Sequence, residues 1–221
     1  MAQSQPAPAI APRRDFHFTF DPSLAPWNVT LEQWLRDHDP KGHLHGLATG
    51  VVVFKDHDIN GIKERKVLLV QRASTDSMPD LWEIPGGAAD FEDDTILHAA
   101  ARELWEETGL EAGRLVSFIP EVAGWDDGGV DIAFDVDRAT GEVLSGMLFR
   151  NRKRTRKFCR FAFVGELDWR TAAVVLDPNE HQDFVWASEE EVRNGRVGEK
   201  EIPYTVEAVK VLLLKAFAMR G

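Results

Sequence analysis

Apolar positions in this chain change period several times, and each change marks a predicted element. Phe16-His17-Phe18-Thr19-Phe20 alternates with period two, which predicts a short edge strand. Thr30 followed by Gln33 forms a capping-box signal for a helix over Leu31–His38, ended by Pro40 and Gly42. From Leu47 the text becomes rich in β-branched residues. Ala48–Phe54 and Lys66–Arg72 predict a hairpin, and the polar stretch Asp56–Glu64 with its Asn60-Gly61 turn predicts a loop longer than two residues.

A second loop, Ala73–Asp80, leads into Leu81-Trp82-Glu83-Ile84-Pro85-Gly86-Gly87. Leu97, Ala100, Ala101, Leu104 and Trp105 then recur at helical spacing. Asp93, Asp94 and Thr95 supply acids and cap candidates at the start of that helix, and Gly109 stands where a terminating glycine belongs. Strands are expected at Leu115–Pro120, Ala133–Val136, Lys157–Val164 and Asp183–Trp186. Ser188 with Glu191 caps a helix closed by Asn194-Gly195, and Thr205 opens a last helix with the stripe Val206, Val209, Leu212, Leu213, Ala216. Interleaved strands and helices without a repeat predict a layered α/β domain with a mixed sheet. The expected organisation is a disordered tail over 1–15, an extension over 16–46 packed on the main domain, and one domain over 47–221.

Composition narrows the setting. The 221 residues, 43% hydrophobic with seven Trp and thirteen Phe, fill one sizeable core. A net charge of −11 argues against general nucleic-acid binding and suits a site that recruits cations. Cys159 is the only cysteine, which fits a reducing, cytoplasmic compartment. No run approaches the roughly 18 apolar residues of a membrane span. The acid-free start MAQSQPAPAIAPRR reads as a disordered tail, with a mitochondrial transit peptide as the alternative.

The chemistry concentrates in Arg102-Glu103-Leu104-Trp105-Glu106-Glu107-Thr108-Gly109-Leu110. On a helix, Glu103, Glu106 and Glu107 share one face, where they repel unless a hard divalent cation such as Mg2+ sits among them. The alternative is a solvated acidic face. A match to R-E-x-x-E-E-x-G has a chance on the order of one in a million per start position, which favours the metal.

Gly87 to Leu110 resembles the Nudix box, written G-x5-E-x7-R-E-U-x-E-E-x-G-U, the signature of Nudix hydrolases of the MutT-like kind. The second half matches at every fixed position. In the first half, a one-residue insertion restores Gly87 as the box glycine and leaves Asp94, or Asp93, in place of the first glutamate. Leu68-Leu69-Val70-Gln71-Arg72, Trp82-Glu83-x-Pro85-Gly86-Gly87 and Asp183-Phe184-Val185-Trp186 are similar to the family as well. The resemblance implies a Nudix-type α/β/α sandwich around a central mixed β-sheet. It implies Mg2+ or Mn2+ held by Glu106 and Glu107, with Glu103 a ligand or the base, and a Gly86 carbonyl near the metal. Arg102 is grouped with the catalytic set as the guanidinium that orients the carboxylates. The implied reaction is attack of water on a diphosphate joined to a nucleoside and another moiety.

Glu180, in Asp177-Pro178-Asn179-Glu180-His181, is a further candidate base, weighed evenly against an ordinary loop acid. His181 reads as a surface or packing residue. Arg72 is a candidate phosphate contact, against a surface ion pair, and Trp82 a candidate base-stacking ring; Trp125 and Trp186 read as core. The basic run Arg150–Lys157 reads first as a solvated hairpin, second as an extended phosphate grip with Arg152, Arg154 and Arg156 on one side.

Expected partners are a small diphosphate or nucleotide, with a capped RNA end as the one nucleic acid left open, no membrane, and a homodimer as an open assembly. Two other classes compete. One is an isopentenyl-diphosphate isomerase on the same fold using Cys159; the other is a non-catalytic nucleotide-sensing or interaction module.

Overall fold

The computed structural model describes residues 15–59, 61–120, 131–136, 143–151, 153 and 155–219. The expected tail over 1–14 lies outside them, as do Trp125, Arg152 and Arg154. In chain order the elements are β1 (Thr19–Phe20), a 3-10 turn (Pro22–Trp27), α1 (Leu31–His38), β2 (Gly46–Ile59), β3 (Ile62–Arg72) and β4 (Trp82–Glu83). Then follow α2 (Ile96–Thr108), β5 (Arg114–Ile119), β6 (Asp131–Val136), β7 (Val143–Arg150), β8 (Lys157–Glu166) and β9 (His181–Ser188). The chain ends with α3 (Glu189–Asn194), the short strands β10 (Arg196–Val197) and β11 (Lys200–Glu201), and α4 (Glu207–Ala218).

The central sheet is mixed. Its main path runs β1-β5-β8-β2-β3-β4, with β9 beside β3 and the β6–β7 pair joined through β8. β2 and β8 are parallel; most other pairs are antiparallel. Side chains alternate between the two faces, as a two-residue period requires. Val51, Val53, Leu68, Val70, Phe161 and Phe163 enter one core, packed with Leu97, Ala100 and Leu104 of α2. Val52, Val67, Leu69, Ala162 and Val164 enter the other, packed with Val192 of α3 and Val209, Leu212 and Leu213 of α4. Helices therefore cover both faces of a mixed sheet, the sandwich expected from the sequence.

The N-terminal segment belongs to the first of these cores. Leu24, Trp27, Leu31 and Trp34 are buried in it, with the Trp27 ring 4.4 Å from that of Phe118 and Trp34 5.3 Å from Phe161. The Ile96 amide donates to the Val29 carbonyl at 2.9 Å, so the same segment fixes the start of α2.

Three expectations change. The β2–β3 ladder continues to Ile59↔Ile62, so Asp56–Ile59 and Ile62–Glu64 are paired strand rather than loop. Gly61 supplies φ +82° there, and Asp58 accepts its N–H at 2.8 Å. β7 had no counterpart in the expected elements. It pairs with β8 down to Arg150↔Lys157, so the two ends of the basic run face each other across a ladder, as the first reading of that run, a hairpin, expects. The last helix begins at Glu207 with Val206 as its cap, not Thr205.

Candidate active site

β2 has two different neighbours on one side. Beyond Val53 it pairs with β3, while its first half runs beside the chain at Pro85–Ala89. Val51 N–H donates to Pro85 O at 2.9 Å and Thr49 N–H to Gly87 O at 2.8 Å. This contact requires glycine. Gly86 sits at φ +154°, and a Cβ on it would lie inside the contact distance of Thr49 O and Gly50 Cα. A Cβ on Gly87 would instead strike the Glu103 carboxylate.

α2 delivers the carboxylates onto this glycine segment. Thr95 caps its first turn by accepting from His98 N–H, and Gly109 at φ +67° ends it. Glu107 is 4% exposed, and its Oε2 accepts the Gly86 N–H at 2.7 Å. Burial raises the Glu107 pKa well above the ordinary carboxylate range; the Gly86 N–H opposes the shift, and Glu103, Glu83 and Glu180 add to it. Glu103, 9% exposed, is raised to about 7, again by burial first, with Arg102 pulling down and Glu106 and Glu180 pushing up.

Arg102 organises the acids. Its Nε and Nη2 fork onto Asp93 at 3.0 and 2.9 Å, Nη1 reaches Glu103 Oε1 and Glu106 Oε2, both at 2.8 Å, and Nη2 also donates to Ala88 O at 2.8 Å. Its own pKa is raised by these acids against the opposing effect of burial. Of the two aspartates that could replace the box glutamate, the structure puts Asp93 on the guanidinium; Asp93 is 4% exposed, whereas Asp94 is exposed and makes neither of these bonds. The repulsion among Glu103, Glu106 and Glu107 is thus partly relieved by a cation within the protein. Repulsion alone does not require a metal, and Glu106, half exposed, faces Arg102 rather than the buried group.

A later loop completes the site. Val175 N–H donates to Thr108 O and Asp177 N–H to Glu107 O, at 2.8 and 3.2 Å, tying the loop to the end of α2. Asp177 O in turn accepts from Glu180 N–H and His181 N–H at 3.1 and 2.9 Å. As a result one ligand atom from each of Glu107, Glu180 and His181 lies within 4.8 Å of the others. Glu180 is exposed, and His181 is 1% exposed.

The remaining candidates fare differently. Trp82 is 1% exposed in the core with Ile84, Leu212 and Leu213 packed in the same cluster, so it has no face to offer a base. Arg72 is partly buried, and of its two readings the ion pair is the one the structure shows. It pairs with Glu83 and Asp76 and donates from Nε to Ser77 O at 2.6 Å. Glu83 and His181 were missed as site residues. Glu83 sits within the quoted Trp-Glu-x-Pro-Gly-Gly motif without a role, and its carboxylate bears on Glu107. For His181 the neighbouring residues carry no signal of burial, because that burial also depends on the pairing of β9 with β3, distant in sequence. The Gly86 amide, rather than its carbonyl, makes the described bond to the acids. Cys159 is 2% exposed in the first core, which removes the thiol that an isomerase would use.

Residues 44–206 match the NUDIX domain. The chain belongs to that family. The enzyme class expected from the box, a Nudix pyrophosphohydrolase, follows from this membership. Among relatives, an "RNA pyrophosphohydrolase" of Bartonella clarridgeiae is 31% identical over 145 residues, covering 64% of this chain and 75% of the relative. An "m7GpppN-mRNA hydrolase NUDT17" of Homo sapiens is 48% identical over 66 residues, 29% of this chain and 18% of the relative. A MutT protein structure from Methanosarcina mazei aligns at TM-score 0.51 and 17% identity, covering 81% of this chain and 96% of the other. That likeness is one of fold.

Proposed function

We propose that this Nudix chain hydrolyses the diphosphate linkage of a nucleoside-diphosphate-X substrate with a divalent cation, and that its substrate is the 5′ end of an RNA. The observation that carries the reaction is the convergence of Glu107, Glu180 and His181 within 4.8 Å beside Glu103. The donor set fits a divalent cation: carboxylates from α2 and from the later loop meet a buried imidazole whose ring nitrogens have no hydrogen-bond partner among the described residues. A cation bound there would neutralise phosphate oxygens and lower the pKa of a bound water.

Glu107 holds its orientation through the Gly86 N–H, and Glu180 closes the site from the later loop. Arg102 fixes Glu103 Oε1, so Oε2, lying against Gly87, is the oxygen we assign to accept the proton of the attacking water. Mg2+ or Mn2+ are the expected ions. Arg72, committed to Glu83 and Asp76, steadies the wall of the site in this reading and leaves phosphate contact to other groups.

The RNA end is supported by the Bartonella relative's printed activity and bounded by the charge of −11, which disfavours contact along the body of a polyanion. The same charge favours a second reading, clean-up of free nucleotides of the MutT type, because a small substrate meets less of the acidic surface. The single buried thiol fits a reducing, cytoplasmic setting. No described helix is long and apolar enough to cross a membrane.

The test is product analysis on a panel with Mg2+ or Mn2+, and with EDTA: 5′-triphosphorylated RNA, capped RNA, normal and oxidised nucleoside triphosphates, ADP-ribose and dinucleoside polyphosphates. Metal-dependent turnover of the RNA ends above the free nucleotides is the expected result. Preference for a free nucleotide would move the assignment to clean-up. Absence of both turnover and metal binding would leave a sensing module.

A further inference from the structure

His181 presents a contradiction that packing does not resolve. It is 1% exposed, yet neither Nδ1 nor Nε2 has a hydrogen-bond partner among the described residues. Leaving a buried polar group unsatisfied is destabilising. The nearest carboxylate beyond the cluster is that of Glu83, whose Oε1 lies 3.6 Å from Nε2, outside hydrogen-bond range. Glu83 is moreover engaged by Arg72.

The backbone places this ring deliberately. His181 opens β9 opposite Arg72, while the next pair is Gln71↔Asp183, so the register skips Gln182. A bulge of this kind re-aims the side chains around it. Gln182 points outward, where its amide bonds Ser74 and Asp80 at 2.9 and 2.8 Å. His181 is turned inward, with a ring nitrogen among the oxygens of Glu107 and Glu180.

We infer that His181 is a nitrogen ligand of the divalent cation, joining Glu107 and Glu180 in a mixed nitrogen–oxygen site that prefers borderline transition ions such as Mn2+ and Co2+ to Mg2+. The inference rests on the metal-dependent reading of the site given above and adds to it the kind of ion selected. An all-oxygen site suits Mg2+, which dehydrates reluctantly; an imidazole donor shifts preference toward the later first-row ions. His181 then has the partner its burial demands.

The experiment uses the full chain stripped of metal and loaded with substoichiometric Mn2+. Pulsed EPR would read nuclear coupling from a bound imidazole, with protein labelled by 15N-histidine to identify it. Calorimetry with Co2+ and with Mg2+ would run alongside on the wild type and on His181→Asn. The expected result is a histidine coupling that responds to the isotope and vanishes in H181N. Co2+ affinity should fall by about tenfold or more in that variant. Mg2+ affinity should stay within about twofold, since oxygen ligands serve it.

Should H181N fail to fold, the isotope response of the wild-type spectrum decides alone. Mn2+ bound without imidazole coupling would overturn this inference and leave the proposed hydrolase reading standing. Failure of the wild type to bind Mn2+, Co2+ or Mg2+ would overturn both.

Discussion

The Gly86 amide and the Glu107 carboxylate are joined by a 2.7 Å hydrogen bond across 21 residues of sequence. That bond locks the helix carrying the acids to the glycine segment running along β2. The two glycines of this segment have separable duties. Gly86→Ala forces a Cβ against the backbone at Thr49 and Gly50, which cannot step aside, at a positive φ. Its cost is expected at about 3 kcal/mol or more, from strain and overpacking together. Gly87→Ala meets first the Glu103 carboxylate, the end of a side chain rather than backbone. Thermal unfolding should therefore collapse for G86A and change little for G87A, while G87A loses turnover.

Glu103 makes the stability of the metal-free protein depend on pH. Its pKa is raised from 4.5 to about 7 in the folded state, so the fold binds that proton more tightly than the unfolded chain does. The associated stability is present below about 4.5 and is lost as pH rises through about 7, a contribution on the order of 3 kcal/mol. Melting in EDTA should show the midpoint falling between pH 5 and 8. Glu103→Gln, neutral throughout, should reduce that fall, with the raised Glu107 carboxylate leaving a remainder, and a divalent cation should offset it above pH 7. An equal slope in wild type and E103Q would reject the assignment.

Asp93 and Asp94 are adjacent in sequence and unequal in structure. Asp93→Asn breaks a charged fork onto Arg102 at 3.0 and 2.9 Å in a nearly buried setting. A loss of about 1–3 kcal/mol is expected. Asp94→Asn should stay within about 0.5 kcal/mol, as exposed substitutions do. Denaturant midpoints of the two variants measure the difference.

These two aspartates also mark where the sequence stops being readable. Periodicity places α2, its Thr95 cap and its Gly109 end, because these depend on neighbours within four residues. Choosing Asp93 over Asp94 needs the direction of the Arg102 side chain, which spacing does not carry. The β2–β3 turn was misjudged for a related reason. Asp56–Glu64 is polar because both strand ends extend beyond the core into solvent, where pairing persists without apolar alternation. β7 was hidden by Gly146, which leaves room for Cys159 and Phe161 across the ladder and so weakens the strand pattern. His181 was undervalued since a loop histidine is ordinarily exposed. Its burial follows from the Asp177 turn, tied to Glu107 of α2, and from the bulge opposite Arg72, and both of those attachments are long-range.

Trp82 tests the boundary between core and pocket. Trp82→Ala should cost about 3–5 kcal/mol, the usual range for emptying a buried aromatic site. Trp82→Phe should lose less stability and leave KM for any nucleotide unchanged, because the ring is 1% exposed. A large rise in KM with unaltered stability would return Trp82 to the substrate site.

The most direct test of the central claim is turnover of Glu107→Gln against wild type at saturating Mg2+, with melting curves for both. Glutamine keeps an oxygen for the Gly86 N–H and removes the charge. Loss of turnover by about 10³-fold or more, from a fold that melts as the wild type does or higher, is the outcome predicted for an electrostatic role at the reacting centre. Wild-type turnover in E107Q would contradict the assignment of Glu107 and its neighbours as the cation site.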